Sequence, residues 1–111
     1  MAATEFVFVY STFPDRQSAT DVAEALVTAK LAACVNLSAL MTSVYVWEGK
    51  LHTEPEIAAL IKTRRALAEA VIAAARPLHP YEVPCFVVLP VEGGFEDYLN
   101  WVRAQTLSDH S

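Results

Sequence analysis

Cys34-Val-Asn-Leu-Ser-Ala-Leu-Met-Thr-Ser-Val-Tyr-Val-Trp-Glu-Gly-Lys-Leu-His-Thr-Glu-Pro-Glu-Ile-Ala-Ala-Leu-Ile-Lys-Thr63 carries the pattern that decides the fold of this chain. Val35, Leu37, Ala39 and Met41 share one alternation, as a strand with one buried face requires. Val44 and Val46 then carry the apolar set on the opposite parity. A one-residue slip would turn every later side chain to the wrong face, so the pattern calls for a β-bulge or break near Met41-Thr42-Ser43. Trp47-Glu-Gly-Lys50 reads as a hairpin turn in which Gly49 is free to take a positive φ. The return strand, Leu51 to Thr63, contains Pro55, which cannot donate to a ladder and marks an edge or a bulge. Its second half, Ile57 to Ile61, is apolar throughout and reads as buried. Arms this long exceed the usual strand of about five or six residues and leave edges unpaired. Trimerisation is one way of covering them.

Upstream, Phe6-Val-Phe-Val-Tyr10 is an uninterrupted β-branched and aromatic run, expected near the middle of a sheet. Thr12-Phe-Pro-Asp15 ends it and offers a helix start. Ala19, Val22, Ala23, Leu26 and Val27 then define one apolar helix face. Downstream, Leu67, Ala70, Val71, Ala74 and Ala75 mark a second helix, ended by Arg76-Pro77. The loop Leu78-His-Pro-Tyr-Glu-Val-Pro84 is stiffened by its prolines. Cys85-Phe-Val-Val-Leu89 is another apolar strand, and Phe95, Tyr98, Leu99 and Val102 repeat at helical spacing after Gly93-Gly94. The order is β-α-β-β-α-β with an extra C-terminal helix. It predicts an α+β, ferredoxin-like sandwich with a long hairpin between its second and third strands. Helices on one face of such a sheet leave the other face wanting a partner.

At 111 residues the chain suits a single domain, 1–111, with one core. A composition that is 54% apolar and 19% charged is that of a folded globular protein. The formal net charge of −5 argues against nucleic acid as a partner, since the only basic cluster is Lys62, Arg64 and Arg65, with Arg76 further on. Phe6 to Tyr10 is too short to span a bilayer or to serve as a signal, so no membrane association and a cytoplasmic location are expected. Cys34 and Cys85 have no CxxC or Cys/His spacing and resemble neither a disulfide framework nor a zinc site. Buried small hydrophobes are the plainer reading of both.

No enzyme signature is present: no Ser/His/Asp ordering with an elbow turn, no Walker loop, no dinucleotide fingerprint. Ser11-Thr-Phe-Pro-Asp15 lacks the glycines and arginine of an acylphosphatase-like phosphate cradle, and a copper chaperone of this fold class would need a CxxC loop. His79, beside Pro80, is the leading chemical candidate, because neutral imidazole is a good ligand for copper or zinc. The competing role is a hydrogen-bonded brace that holds Tyr81. His52, Glu54 and Glu56 share one parity, which is either a weak metal cluster or an ordinary charged strand face, with Pro55 able to disturb the register. His110 sits in the tail and carries no expectation.

Several segments, in order, resemble the CutA divalent-cation-tolerance family. They are Thr12-Phe-Pro-Asp15, Lys30-Leu-Ala-Ala-Cys-Val-Asn36, Ser43-Val-Tyr-Val-Trp-Glu-Gly-Lys50, Lys62-Thr63, His79-Pro-Tyr-Glu-Val-Pro84 and Tyr98-Leu-Asn-Trp101. The resemblance implies a ferredoxin-like protomer, a tight homotrimer similar in architecture to the PII signalling proteins, and a role in tolerance to divalent ions, copper above all. It implies no catalytic reaction. Some members carry a cysteine where Ser11 stands and a second histidine where Leu78 stands, forming a soft-metal site with the residue matching His79. This sequence keeps His79 of that set, and Cys85 stands where the family usually has a glutamate. The implied metal candidates are therefore His79 and Cys85, with copper(II) or another divalent cation as a non-obligatory ligand. Tyr45, Trp47, Lys62, Tyr81, Tyr98 and Trp101 recur in the same segments. They either pack a subunit interface or line intersubunit clefts for a small anionic metabolite, in a PII-like sensor or scaffold with a protein partner. Lys62 could equally pair with Glu48 or Glu82.

Overall fold

Strand β1, Phe6–Phe13, places Val7, Val9, Ser11 and Phe13 on one face of the sheet, all four wholly buried. The computed structural model to which it belongs describes residues 4–108. Helix α1 (Arg16–Thr28) follows, and its N-terminus is closed by the Asp15 carboxylate, which accepts from the Ser18 N–H at 2.8 Å. Next come β2 (Cys34–Leu37), β3 (Met41–Trp47), β4 (Lys50–Arg64), α2 (Ala68–Ala75), β5 (Val87–Val91) and α3 (Glu96–Gln105). Tight single helical turns at Arg65–Leu67 and Arg76–Leu78 bracket α2.

The sheet runs β2-β4-β1-β5, with β3 paired to β4, and every pairing is antiparallel. Because β2 and β1 flank β4 and oppose it, they run parallel to each other, joined by α1. This is the split β-α-β of a ferredoxin-like fold, as the element order predicts.

The change of parity in the hairpin has a local cause. Leu37 faces Ala59, but Met41 faces Glu56, so four steps on the outgoing chain match three on β4. The extra residue is absorbed across 38–40, slightly before the Met41-Thr42-Ser43 position expected from the sequence. Ser38 explains the shift. Its N–H donates to the Ala58 carbonyl and its hydroxyl accepts from the Ala58 N–H, 2.8 Å away, so a side chain stands in for the ladder where the backbone departs. The first half of β4, with Pro55 opposite Thr42, has only β3 beside it and is an edge.

α1 and α2 cover one face. Ala19, Val22 and Leu26 from α1, and Ala68, Val71 and Ala75 from α2, pack on Val7, Val9, Phe13, Ile57, Ala59 and Ile61. Val27 is exposed, and Ala70 and Ala74 point outward, so both helices are rotated slightly from the faces read in the sequence. The opposite face is not bare: α3 lies over one end, where Val102 packs with Phe6 and Ala33, flanked by Val91 and Leu99. Beyond α3, Val44, Val46, Trp47 and Leu51 on the hairpin arm, and Val87 and Leu89 on β5, are exposed.

The arm closes with Glu48 at φ 50 and Gly49 at φ 78, two consecutive positive-φ residues as in a two-residue hairpin turn. A Cβ added to Gly49 meets nothing within 4 Å, so any penalty there is purely conformational. Gly49→Val is therefore expected to lower unfolding free energy by about 1–2 kcal/mol in chemical denaturation. A neutral result would mean the turn has no preferred conformation.

Candidate functional site: an acidic aromatic cleft beside His79

His79 lies in the connection between α2 and β5, yet it is buried. Its Nε2 is 2.8 Å from the Thr12 carbonyl oxygen, and its Nδ1 accepts from the Tyr81 N–H at 3.1 Å. An accepting Nδ1 leaves the proton on Nε2, which donates to Thr12. The ring stacks on Phe13 at 4.4 Å between centroids and meets Phe86 edge-on at 5.7 Å. Burial holds its pKa below the ordinary value of 6.5, outweighing the Thr12 carbonyl, which favours the protonated ring. His79 is thus a neutral brace between β1 and the loop, with both nitrogens engaged by backbone. A metal at either nitrogen would have to displace one of those bonds.

The brace fixes Tyr81, whose hydroxyl donates to Glu56 Oε2 at 2.6 Å. Burial first, and then this hydrogen bond, push the Tyr81 pKa well above that of an ordinary phenol. Glu56 is 93% buried, with 7% relative exposure. The Arg76 guanidinium ties the same loop down by donating to the Glu82 carbonyl at 2.9 Å. Between loop and arm opens a cleft of about 430 Å³, lined by Tyr45, Trp47, Glu56, Tyr81, Glu82 and Cys85 among others. Its charged lining is acidic; no Lys, Arg or His among the described residues contributes to it.

The six residues expected at a subunit interface or at clefts between subunits fall in two places on the single chain. Tyr45, Trp47 and Tyr81 line the cleft just described. Lys62 and Tyr98 line a second, smaller cavity of about 200 Å³ under α3, with Trp101 5.7 Å from Tyr98. The Lys62 ammonium sits over the Phe8 ring at 5.7 Å and the Tyr98 ring at 5.5 Å, rather than against Glu48 or Glu82. Of the metal candidates, Cys85 is exposed at the cleft, where burial of its sulfur and then the Glu56 charge raise the thiol pKa and disfavour thiolate. Ser11 is fully buried and its hydroxyl has no hydrogen-bond partner among the described residues; Leu78 is exposed.

His52 stacks on Tyr45 at 5.2 Å and lies 3.8 Å from Glu54, while Glu56 turns to Tyr81, so the three do not form a cluster. Among the described residues no group of three His, Cys, Asp or Glu side chains is placed to hold a metal ion. His110 lies outside the described residues. The basic cluster is spent on structure: Arg64 Nε donates to Thr106, Arg65 to the Thr4 carbonyl. Sequence reasoning missed Thr12 and the Glu56 role, and only the hydrophobic flank of Glu56 hinted at its burial.

Two measurements follow from this geometry. A histidine held neutral contributes stability above its unfolded pKa of 6.5 that is lost as pH falls through the lower folded value. The unfolding midpoint should therefore fall between about pH 7 and about pH 5, and fall less steeply in His79→Gln. Equal slopes would deny the buried neutral ring. Tyr81→Phe removes the hydrogen bond to a buried carboxylate and is expected to cost about 1–3 kcal/mol in denaturant unfolding.

Residues 7–105 match the family described as CutA1 divalent ion tolerance protein. Over 99 residues the chain is 43% identical to human "Protein CutA", covering 89% of this chain and 55% of the human protein. It therefore spans little more than half of that relative's length. It is 43% identical over 100 residues to the "Divalent-cation tolerance protein CutA" of Salmonella newport, covering 90% of this chain and 87% of that one. The solved CutA1 from the psychrotrophic bacterium Shewanella sp. SIB1 superposes with a TM-score of 0.93 at 36% identity, over 96% of this chain and all of that one. No helix among the described residues is long and apolar enough to cross a membrane. With the match spanning nearly the whole described chain in both sequence and fold, this chain belongs to the CutA1 divalent ion tolerance family.

Proposed function

We propose that the chain is a non-enzymatic protein of divalent metal ion tolerance that works as a cytoplasmic homotrimer and binds copper(II) or another divalent cation weakly. The observation that carries this reading is the cleft in which Glu56, Glu82 and Cys85 meet without a basic residue. Carboxylates and a sulfur there attract divalent ions. The affinity is weak because among the described residues no three donors converge, both His79 nitrogens are engaged, and Cys85 favours its protonated thiol. Assembly is supported by the exposed apolar side chains of the arm and of β5, which lie on the two free edges of the sheet. Two unpaired cysteines suit a reducing compartment.

A PII-like sensor or scaffold with a small metabolite in its clefts draws support from the cleft volume, which lies in the small-molecule range. An anionic metabolite would occupy a cleft between subunits rather than this acidic one.

Light scattering is expected to give three chains per particle. Calorimetric titration with copper(II) and zinc(II) is expected to give shallow isotherms that weaken further in Cys85→Ser. Saturable binding of one copper(II) per chain that vanishes in His79→Ala would overturn the weak-site reading and put the ion on the imidazole.

A further inference from the structure

The cleft holds more than a metal ion would use. Its walls include three aromatic side chains, Tyr45, Trp47 and Tyr81, and its floor includes the carboxylate of Glu56. One oxygen of that carboxylate accepts from Tyr81, and the other receives no hydrogen bond from the described residues. That oxygen is not among the buried unpartnered atoms of the described residues, so it opens to the cleft, where a donor on a ligand can take the place of water. Glu82 adds a second acidic residue to the lining, and no cationic residue among the described ones joins them there. The chain keeps its nearby cations elsewhere: Arg76 on the Glu82 carbonyl, Lys62 between Phe8 and Tyr98.

From this arrangement we infer that the cleft binds a small organic cation, an ammonium or guanidinium group carried on an apolar body. Its charged end would donate to the open oxygen of Glu56, in the manner of a charge-assisted hydrogen bond. Its body and its charge would both be met by aromatic faces, which attract cations through their ring quadrupoles. The cleft volume of about 430 Å³ accommodates a molecule of that size. A bare divalent ion makes no use of the aromatic walls, and an anion would face the Glu56 carboxylate with no cationic residue among the described lining. This inference goes beyond metal handling and does not depend on it.

The test compares three probes of one shape on the purified, assembled protein with EDTA present: benzylamine, benzyl alcohol and benzoate. Binding is followed by tryptophan fluorescence and by chemical shifts of the Trp47 and Tyr45 rings. Benzylammonium is expected to bind saturably and at least about tenfold more tightly than either isostere, since only it gains both the carboxylate bond and the ring attraction. Glu56→Gln, which keeps an acceptor for Tyr81 but removes the charge, is expected to erase that preference. Trp47→Leu, in the cleft wall, should weaken benzylamine while leaving the ranking of the probes unchanged. Equal binding of the three probes, tighter binding of benzoate, or no saturation by benzylamine below about 10 mM would each overturn the proposal, whatever the two variants do.

Discussion

The whole arrangement depends on β4 serving three partners at once. Along 15 residues its first half pairs with β3 and its second half lies between β1 and β2. The two halves have different needs. Ile57, Ala59, Ile61 and Thr63 must point into the core, whereas the arm has no helix to cover it. A continuous ladder from β2 into β3 would hold one parity over the full length. The extra residue across 38–40 releases that constraint, and Ser38 satisfies Ala58 through its hydroxyl while the backbone shifts phase. With that slip Val44 and Val46 share Leu37's face, since their partners Thr53 and Leu51 have the parity of Ala59 on β4; without it they would lie on the other side of the arm. The cleft wall formed by Tyr45 and Trp47 would turn with them.

The position of Glu56 at the junction follows from the same constraint. It is the last residue of β4 paired with β3, immediately before Ile57 pairs with Phe13 of β1. Phe13 is also the surface on which His79 stacks, and Thr12 beside it accepts from His79. One end of β1 therefore fixes the loop, the loop fixes Tyr81, and Tyr81 fixes one oxygen of Glu56. Each link is a short, directional contact between segments that helix packing already holds in place. The imidazole works here through being neutral: a protonated ring would present Nδ1–H to the Tyr81 N–H and break the chain of contacts at its second step.

Much of the fold could be read from residue order because it rests on patterns with a fixed period. The parity change at Val44, the proline at 55 and the Glu48-Gly49 turn each state a backbone requirement in one or two residues. Their consequences appear where expected, within two or three positions. The role of α3 on the second face was less legible, since helical spacing shows that a helix has an apolar side but not which face of the sheet it meets. The site was less legible still. His79 is separated by 67 residues from Thr12, and Tyr81 by 25 from Glu56. The first of these contacts uses a backbone carbonyl, which every residue type carries, so no side-chain spacing could announce it. Lys62 shows the same limit from the other side. Shared membership of recognisable segments grouped it with Tyr45 and Trp47 at a subunit interface, and within one chain it lies in a different cavity, under α3.

Charge is distributed in a way that binds these observations together. The basic side chains nearest the sheet are engaged with backbone carbonyls, a threonine hydroxyl and aromatic rings, and the cleft is left with carboxylates alone. In an isolated chain that cleft is open to water, which weakens any attraction it exerts on a cation. In the proposed homotrimer the arm would be covered along Val44, Val46 and Leu51, of which Val44 also lines the cleft. Excluding water there lowers the effective dielectric and strengthens the pull of Glu56 on a bound positive charge, while raising the cost of leaving its open oxygen unmet. Assembly and cation binding would then support one another through the same side chains, the arm supplying both the subunit contact and the aromatic wall.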